Sequence, residues 1–333
     1  MKKKNIAIVT GGGGFIGSHL VDLLLKKKFY VIVIDNFSGG RIENLKKHKN
    51  NNNLKIKKLD INKITKNNKL FKNATYVFHL AGIGDIVPSI ENPSSYMMTN
   101  IQGTINVLEA SRNSKVKKFI YAASSSCYGI SNGRTNEKTK IDPQYPYALS
   151  KYMGELAALH WSKVYRLPVV SIRIFNAYGP RVRTSGAYGA VFGVFFKQKL
   201  NNKPLTIVGN GNQSRDFIYV ADVADAFLKA AISKKENEIY NLGADNPKSI
   251  NFLAEIIGGK VTFIPNRPGE PKITWANNSK IKNNLKWKPR VKFKNGVKLM
   301  LRQIKDWKTA PLWSPKSIKY ATKSWFKYLG NEK

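Results

Sequence analysis

The chain has 333 residues, 42% of them hydrophobic, which is enough for a large core in one or two domains. Its 57 Lys and Arg stand against 20 Asp and Glu, for a formal net charge of +37. The single cysteine, Cys127, excludes an internal disulfide and a cysteine-built zinc site.

No apolar run approaches the roughly 20 residues that span a bilayer. The basic start Met-Lys-Lys-Lys leads straight into an apolar strand, so it does not read as a signal peptide. These features predict a cytoplasmic protein with no membrane partner and no metal. The charge raises the question of nucleic acid. Lysine far outnumbers arginine, however, and the excess is spread over nearly every surface segment, with no basic cluster interleaved with aromatics. The expectation is no nucleic-acid partner, and a field that attracts anionic small molecules such as nucleotides.

In chain order, Ile6–Val9 reads as a first strand and Gly17–Lys27 as an amphipathic helix. Tyr30–Ile34 is a second strand ending on Asp35, and the Lys- and Asn-rich stretch 44–53 a solvated helix and loop. Leu54–Leu59 is a third strand ending on Asp60, and Tyr76–Leu80 a fourth ending at Ala81-Gly82. A long helix over Tyr96–Arg112 precedes a fifth strand, Phe119–Ala123, which ends in Ser124-Ser125-Ser126. Tyr147–Tyr165 is another long helix and Val169–Ile174 a sixth strand. Strands alternating with helices predict a parallel sheet covered on both faces, with ligands outside the carboxyl ends of the strands.

After Asn176 the rhythm breaks into shorter elements, Val191–Leu200, Leu205–Val208 and Val223–Ala231. The fold expected is α/β: a Rossmann-type doubly wound parallel sheet with a smaller mixed α/β substrate-binding region. Residues 1–175 would form the dinucleotide-binding domain, with 214–242 returning to it. Residues 176–333 would form the substrate region and a C-terminal helical extension.

Between the first strand and helix lies Thr10-Gly-Gly-Gly-Gly-Phe-Ile-Gly17. Glycines at 11, 14 and 17 suit a tight turn that lets a pyrophosphate approach the backbone and the free N–H groups of a helix start. Asp35 follows Gly17 by eighteen residues. An acid there accepts both ribose hydroxyls of an adenosine and repels a 2′-phosphate, which favours NAD over NADP. Asp60 is placed to touch the adenine, though both acids also read as strand-end turns.

In Tyr147-Ala-Leu-Ser-Lys151 a phenol and an ammonium stand at i and i+4 on one helix face. A free phenol, with a pKa of about 10, is no base at neutral pH, and a nearby ammonium lowers that value. Lys151 would do this while also bonding the nicotinamide ribose. Ser124 can hydrogen-bond a substrate oxygen as its proton moves to Tyr147. Separately, each of these motifs could be an ordinary structural feature; their order along one chain is what points to chemistry.

Together with Arg173-Ile-Phe-Asn176-x-Tyr-Gly-Pro180, Arg215-Asp-Phe-Ile-Tyr-Val-x-Asp222 and Arg267-Pro-Gly-Glu270, these segments resemble the extended short-chain dehydrogenase/reductase family. The resemblance runs to about residue 300 and is closest to NAD-dependent nucleotide-sugar epimerases of the UDP-glucose 4-epimerase type. Tyr121-Ala-Ala-Ser-Ser-Ser-Cys-Tyr-Gly129 and Ser185-Gly-Ala-Tyr-Gly-Ala-Val191 look most like the branch acting on UDP-N-acetylhexosamines.

The resemblance implies that Gly11, Gly14, Phe15, Ile16, Gly17, Asp35, Asn36, Asp60, Ile61 and Asn100 surround the adenosine and phosphates of NAD, and that Leu80, Ala81 and Gly82 line its path. It implies catalysis by Ser124, Tyr147 and Lys151. Ser125, Ser126 and Asn176 would bind the nucleotide sugar, with Arg215 and Arg267 on its phosphates, as forked donors suit a diphosphate. Aligned through Arg267-x-Gly-Glu270, Thr274 stands where a small residue accompanies room for an N-acetyl group. The family usually dimerises through a four-helix contact, here Tyr96–Arg112 and Tyr147–Tyr165 from each copy.

The same fold hosts 4,6-dehydratases and UDP-glucuronate decarboxylases, which carry an acid just after the position of Ser124; here Ser125 and Ser126 stand there instead. A further reading, a non-catalytic NAD-binding protein holding RNA by its charge, leaves Ser124, Tyr147 and Lys151 unexplained. Cys127, one residue before Tyr128, reads as a buried structural thiol and not a base. The tail from Trp307 onward departs from the family pattern. Trp313, Tyr320, Trp325, Phe326 and Tyr328 read there as a packed amphipathic helix over Ile318–Leu329.

Overall fold

A computed structural model describes residues 5–131, 133–182 and 191–330. Most of the Ser185–Val191 motif therefore lies outside the described residues.

The main sheet has seven parallel strands: β1 (Ile6–Thr10), β2 (Tyr30–Asp35), β3 (Leu54–Lys58), β4 (Tyr76–His79), β5 (Lys118–Ser124), β6 (Val169–Ile174) and β7 (Glu238–Leu242). Their spatial order is β7-β6-β5-β4-β1-β2-β3, so the chain reverses direction across the sheet between β1 and β4. This is the crevice at which doubly wound sheets hold dinucleotides.

Alternation along each strand decides what the faces bury. Ala7, Val9, Val31 and Val33 point to one side, against Leu20, Val21 and Leu24 of helix α1 (Phe15–Lys26). The same cluster holds Val223 and Phe227 of the helix Val220–Ile232. Ile8, Ile32 and Ile34 point to the other side, with Val107, Leu108 and Ala158.

That second layer contains α2 (Pro93–Met97), α3 (Gly103–Asn113) and α4 (Pro146–Tyr165). Between α2 and α3 the chain makes a π turn, Met98–Gln102. The sequence pattern predicts one uninterrupted helix from Tyr96; the structure starts it at Pro93 and widens one turn at Asn100. Such turns cluster at functional sites, and this one directs the Asn100 side chain into the neighbouring loop.

The stretch 44–53 is also corrected. Its first part is a 3₁₀ helix, Ile42–His48, in which Asn44 and Leu45 are buried instead of solvated. Asn44 Nδ2 donates to the Gly13 carbonyl at 2.8 Å, bracing the glycine turn.

A third core gathers Tyr178, Phe192, Phe195, Phe196, Phe217, Leu253, Val297 and Trp307 beside the sheet. Short strand pairs stitch this region together: Asn176–Tyr178 with Phe217–Tyr219, and Leu205–Val208 with Val261–Ile264. The tail forms two short helices, Pro315–Ala321 and Lys323–Leu329, instead of one. Ser314 and Ser317 form a capping box at the first. Trp325 is buried, but Tyr320, Phe326 and Tyr328 are exposed, which corrects the expectation that all the tail aromatics pack. Among the described residues no helix is long and apolar enough to cross a membrane.

Candidate active site

The glycine turn and the facing loop build a cavity of about 530 Å³. Gly11 has φ +70°, and a Cβ there would lie 2.7 Å from the Ala81 nitrogen. A Cβ on Gly17 would collide with the Gly11 carbonyl oxygen. The close approach of β1, α1 and the loop after β4 thus requires glycine at both positions. Gly14 is the N-cap of α1, with no side-chain cap and no acid in the first turn. The first N–H groups of α1 are left to an anion at the cavity wall.

Gly11, Gly14, Phe15, Ile16, Gly17, Asp35, Asn36, Asp60, Ile61, Leu80, Ala81 and Gly82 all line this cavity, together with Tyr147. Asp35 is 7% exposed and accepts the N–H groups of Gly13 and Phe37, each at 2.8 Å. This fixes the carboxylate at the end of β2 with lone pairs to spare for ribose hydroxyls. Asp60 accepts Asn62 N–H at 2.8 Å and the Asn36 amide at 2.9 Å. These residues fit an adenine dinucleotide: a cradle that a Cβ would fill, an uncapped helix start, and an acid at the ribose position.

Asn100 lies behind the cavity wall, 1% exposed. Its Oδ1 accepts Ile83 N–H at 2.8 Å, and its Nδ2 donates to Ile83 O at 3.0 Å and Ser150 Oγ at 2.9 Å. It holds the loop after β4 in place.

A second cavity of about 300 Å³ shares Ile16, Gly82 and Tyr147 with the first. Ser124, Ser125, Ser126, Lys151 and Asn176 also line it. Ser124 ends β5 and caps the turn Ser125–Tyr128, its Oγ accepting Ser126 N–H at 3.2 Å. The same cavity wall carries the Tyr147 phenol.

Burial pushes the Tyr147 phenol above its ordinary value; the Ser124 hydroxyl opposes this, and Asp85 and Cys127 add to it. In the NAD-free protein burial therefore outweighs any lowering of the phenol by Lys151, whose Nζ sits 4.5 Å from the Tyr121 ring centroid and close to Gly82. Burial brings the lysine down to about 8, partly offset by Glu155. Beneath it, buried His79 bonds Thr10 Oγ1 at 2.7 Å and Thr104 Oγ1 at 2.9 Å. Burial, with Lys151 nearby, lowers His79 to about 3, which keeps it neutral. Burial pushes the Cys127 thiol up to about 12, so it is no base at neutral pH.

A third cavity, of about 190 Å³, opens on the far side of Asn176 and is lined by Arg215, Arg267 and Glu270. Arg215 Nη2 meets Glu270 Oε1 at 2.7 Å, and Arg267 Nε stands 3.7 Å from Glu270 Oε2. One carboxylate thus aligns two guanidinium groups. Thr274 is not among the lining residues: its Oγ1 donates to Asn176 Oδ1 at 2.7 Å and accepts Asp216 N–H at 3.2 Å. With Oδ1 engaged, Asn176 keeps its amide hydrogens for the cavity.

Two site residues carry no motif of their own in the sequence. Tyr145 stacks its ring on Tyr147 at 6.3 Å and 9°. The Tyr145-Pro-Tyr147 spacing at the start of α4 was the available signal. Asp85 lines the large cavity with φ +86°. Two motif residues prove to be framework. Arg173 lies in a buried pair with Glu155 at 2.5 Å and donates to Tyr128 at 2.7 Å. Asp216 accepts the N–H groups of Ala244, Asp245, Asn246 and Ala276.

The model of the NAD dependent epimerase/dehydratase family matches residues 7–243. A Methanocaldococcus jannaschii protein named putative UDP-glucose 4-epimerase is 36% identical over 306 residues, covering 90% of this chain and 98% of its own. Among solved structures, a UDP-N-acetylglucosamine 4-epimerase from Methanobrevibacter ruminantium, in complex with UDP-N-acetylmuramic acid, superposes with a TM-score of 0.85 at 36% identity, over 91% of this chain and 100% of that one. A UDP-glucuronic acid 4-epimerase from Bacillus cereus, with UDP-glucuronic acid and NAD, gives 0.84 at 34% identity, over 90% of this chain and 99% of that one.

Proposed function

The chain belongs to the NAD-dependent epimerase/dehydratase family, with NAD as its cofactor, and from that membership we propose a nucleotide-sugar 4-epimerase acting on a UDP-hexose or UDP-N-acetylhexosamine. One observation carries the reading. Tyr147 lines both the glycine-turn cavity and the cavity at Ser124, and Asn176 joins the latter to the cavity of Arg215 and Arg267. A nucleotide sugar with its diphosphate on the two arginines places its hexose at Ser124 and Tyr147.

Held by the glycine turn and Asp35, a bound NAD would supply a hydride acceptor and donor for the sugar C4. The protein handles the proton. Tyr147 removes it from the sugar O4 as C4 is oxidised to a ketone, and Ser124 holds that oxygen throughout. The 4-keto sugar turns about its phosphate linkage, kept by Arg215 and Arg267, and presents its other face. Tyr147 then gives the proton back. Lys151, beside Gly82, supplies donors to the nicotinamide ribose and keeps a positive charge at the cavity floor. In this reading residues 1–175 form the NAD-binding domain, to which the chain returns over 214–242, and residues 176–333 carry the substrate-binding region and the C-terminal extension.

The turn Ser124–Ser126 offers hydroxyls only. The nearby acid, Asp85, lines the large cavity and not the one at Ser124. This arrangement supports epimerisation over dehydration or decarboxylation, which need an acid or base at the sugar carbon.

Incubation with UDP-, GDP- and dTDP-sugars, followed by NMR, tests the proposal. The expected result is interconversion of one UDP-sugar pair without change of mass. Tyr147→Phe should lose about 10²–10⁴-fold in turnover while keeping its NAD. Release of water or carbon dioxide, or an undiminished Tyr147→Phe, would overturn it.

A further inference from the structure

The mechanism above makes no use of the tail beyond residue 314, yet one tail side chain is inserted beside the substrate loop. Trp325 is 4% exposed, whereas Tyr320 and Tyr328 on the same pair of helices are 83% and 61% exposed. Its indole N–H donates to Pro268 O at 2.6 Å. The Arg267 guanidinium carbon lies 5.6 Å from its ring centroid. On another side the Tyr145 ring is 6.5 Å away, and Tyr145 stacks in turn on Tyr147. Leu329 approaches Gly269, whose φ of +67° shapes the same loop.

The tail is also tied to the cofactor half. Ser324 Oγ donates to Glu91 Oε1 at 2.8 Å. Glu91 ends the helix Ile86–Glu91, which starts at Asp85 on the wall of the dinucleotide cavity. Lys323–Leu329 therefore bridges three segments that are far apart in sequence: the loop carrying Arg267 and Glu270, the start of the catalytic helix, and the helix that follows the cofactor loop.

We propose that the C-terminal arm is part of the nucleotide-sugar site, and that Trp325 is a positioning residue that fixes Arg267 and its loop to receive the diphosphate. The proposal rests on the nucleotide-sugar reading above. A guanidinium on a long, rotamer-rich stem loses much of its contribution to binding when it must be ordered by the ligand itself. A buried indole orders it beforehand through a cation–π contact, and the bond to Pro268 orders the backbone beside it. Trp325 lines none of the three cavities described above, so it acts through Arg267. Its loss acts on substrate binding and not on the proton or hydride chemistry.

The test uses the full chain as Trp325→Ala and Trp325→Phe, with UDP itself as the probe. Calorimetry gives the Kd for UDP, and steady-state rates give kcat and KM. Bound NAD, released by denaturation and measured, reports whether each variant has folded. Trp325→Ala is expected to bind UDP roughly tenfold more weakly, the size of a lost desolvated cation–π contact. KM should rise by a similar factor, with kcat within about threefold and NAD retained. Trp325→Phe, which keeps a ring under the guanidinium, should recover most of the loss.

A Trp325→Ala protein that holds NAD and binds UDP like wild type overturns the arm proposal alone. So does a variant whose defect lies entirely in kcat. Wild-type protein that binds no UDP overturns the nucleotide-sugar reading, and the arm proposal with it.

Discussion

Tyr147, Lys151 and Ser124 reach their places by different routes, and each route decides how visible the residue is in sequence. Tyr147 and Lys151 are local: one helical turn puts them on one face. Ser124 is legible because a strand end in a parallel sheet is where ligands lie. The electrostatics is less legible, because it depends on burial. The ammonium of Lys151 faces Tyr121 and Gly82, and the phenol of Tyr147 is held up by desolvation.

The depressed Lys151 has a consequence for stability. Its folded pKa of about 8 lies below the unfolded value of 10.5. Below pH 8 both states are charged, and the folded state bears the full cost of burying the charge. Between 8 and 10.5 the unfolded chain holds a proton that the folded one has lost, so stability rises with pH. In NAD-free protein Lys151→Met should therefore be more stable than wild type at pH 7, by on the order of 3 kcal/mol. Thermal melts should show this advantage shrinking between pH 8 and 10. A variant less stable than wild type at pH 7, with a gap independent of pH, would contradict the charge burial described here.

At the scale of elements, the strands and the glycine turn were legible because an apolar run of strand length that stops on Gly, Asp or Ser marks both the strand and its end. The π turn at Met98–Gln102 was not. No residue in Met-Thr-Asn-Ile-Gln signals it, and it exists because the Asn100 amide must reach Ile83 and Ser150 across a helix-to-loop gap. The roles of Asn44 and Tyr145 were hidden for a related reason: their partners, Gly13 and Trp325, are distant in sequence and meet only in the folded chain. Asn100→Ala removes three hydrogen bonds and strands the Ile83 N–H. The expected cost is about 3 kcal/mol of unfolding free energy, measured in urea, together with weakened NAD retention from a loosened cavity wall. Unchanged NAD occupancy after dialysis would show that the loop does not depend on this brace.

At the scale of the whole molecule, the outer face of α4 carries Leu149, Met153 and Leu156 at helical spacing, 40%, 40% and 47% exposed, with Met98 nearby at 55%. We propose that this stripe joins two copies through a four-helix contact. Light scattering should give a dimer at micromolar concentration and a monomer for Met153→Glu; a monomeric wild type would refute the contact. The net charge of +37 acts on this scale too, as a general attraction for an anionic substrate.

In the proposed reaction these parts serve one event, the loan of a hydride from a sugar carbon to a cofactor that stays bound. The most direct measurement follows a UDP-hexose labelled with deuterium at C4 through one equilibration with the purified holoenzyme, read by NMR. The predicted product is an epimer that keeps the deuterium at C4, with no exchange into water and no change of mass. Deuterium lost to solvent, or a product short of water or carbon dioxide, would contradict the hydride loan.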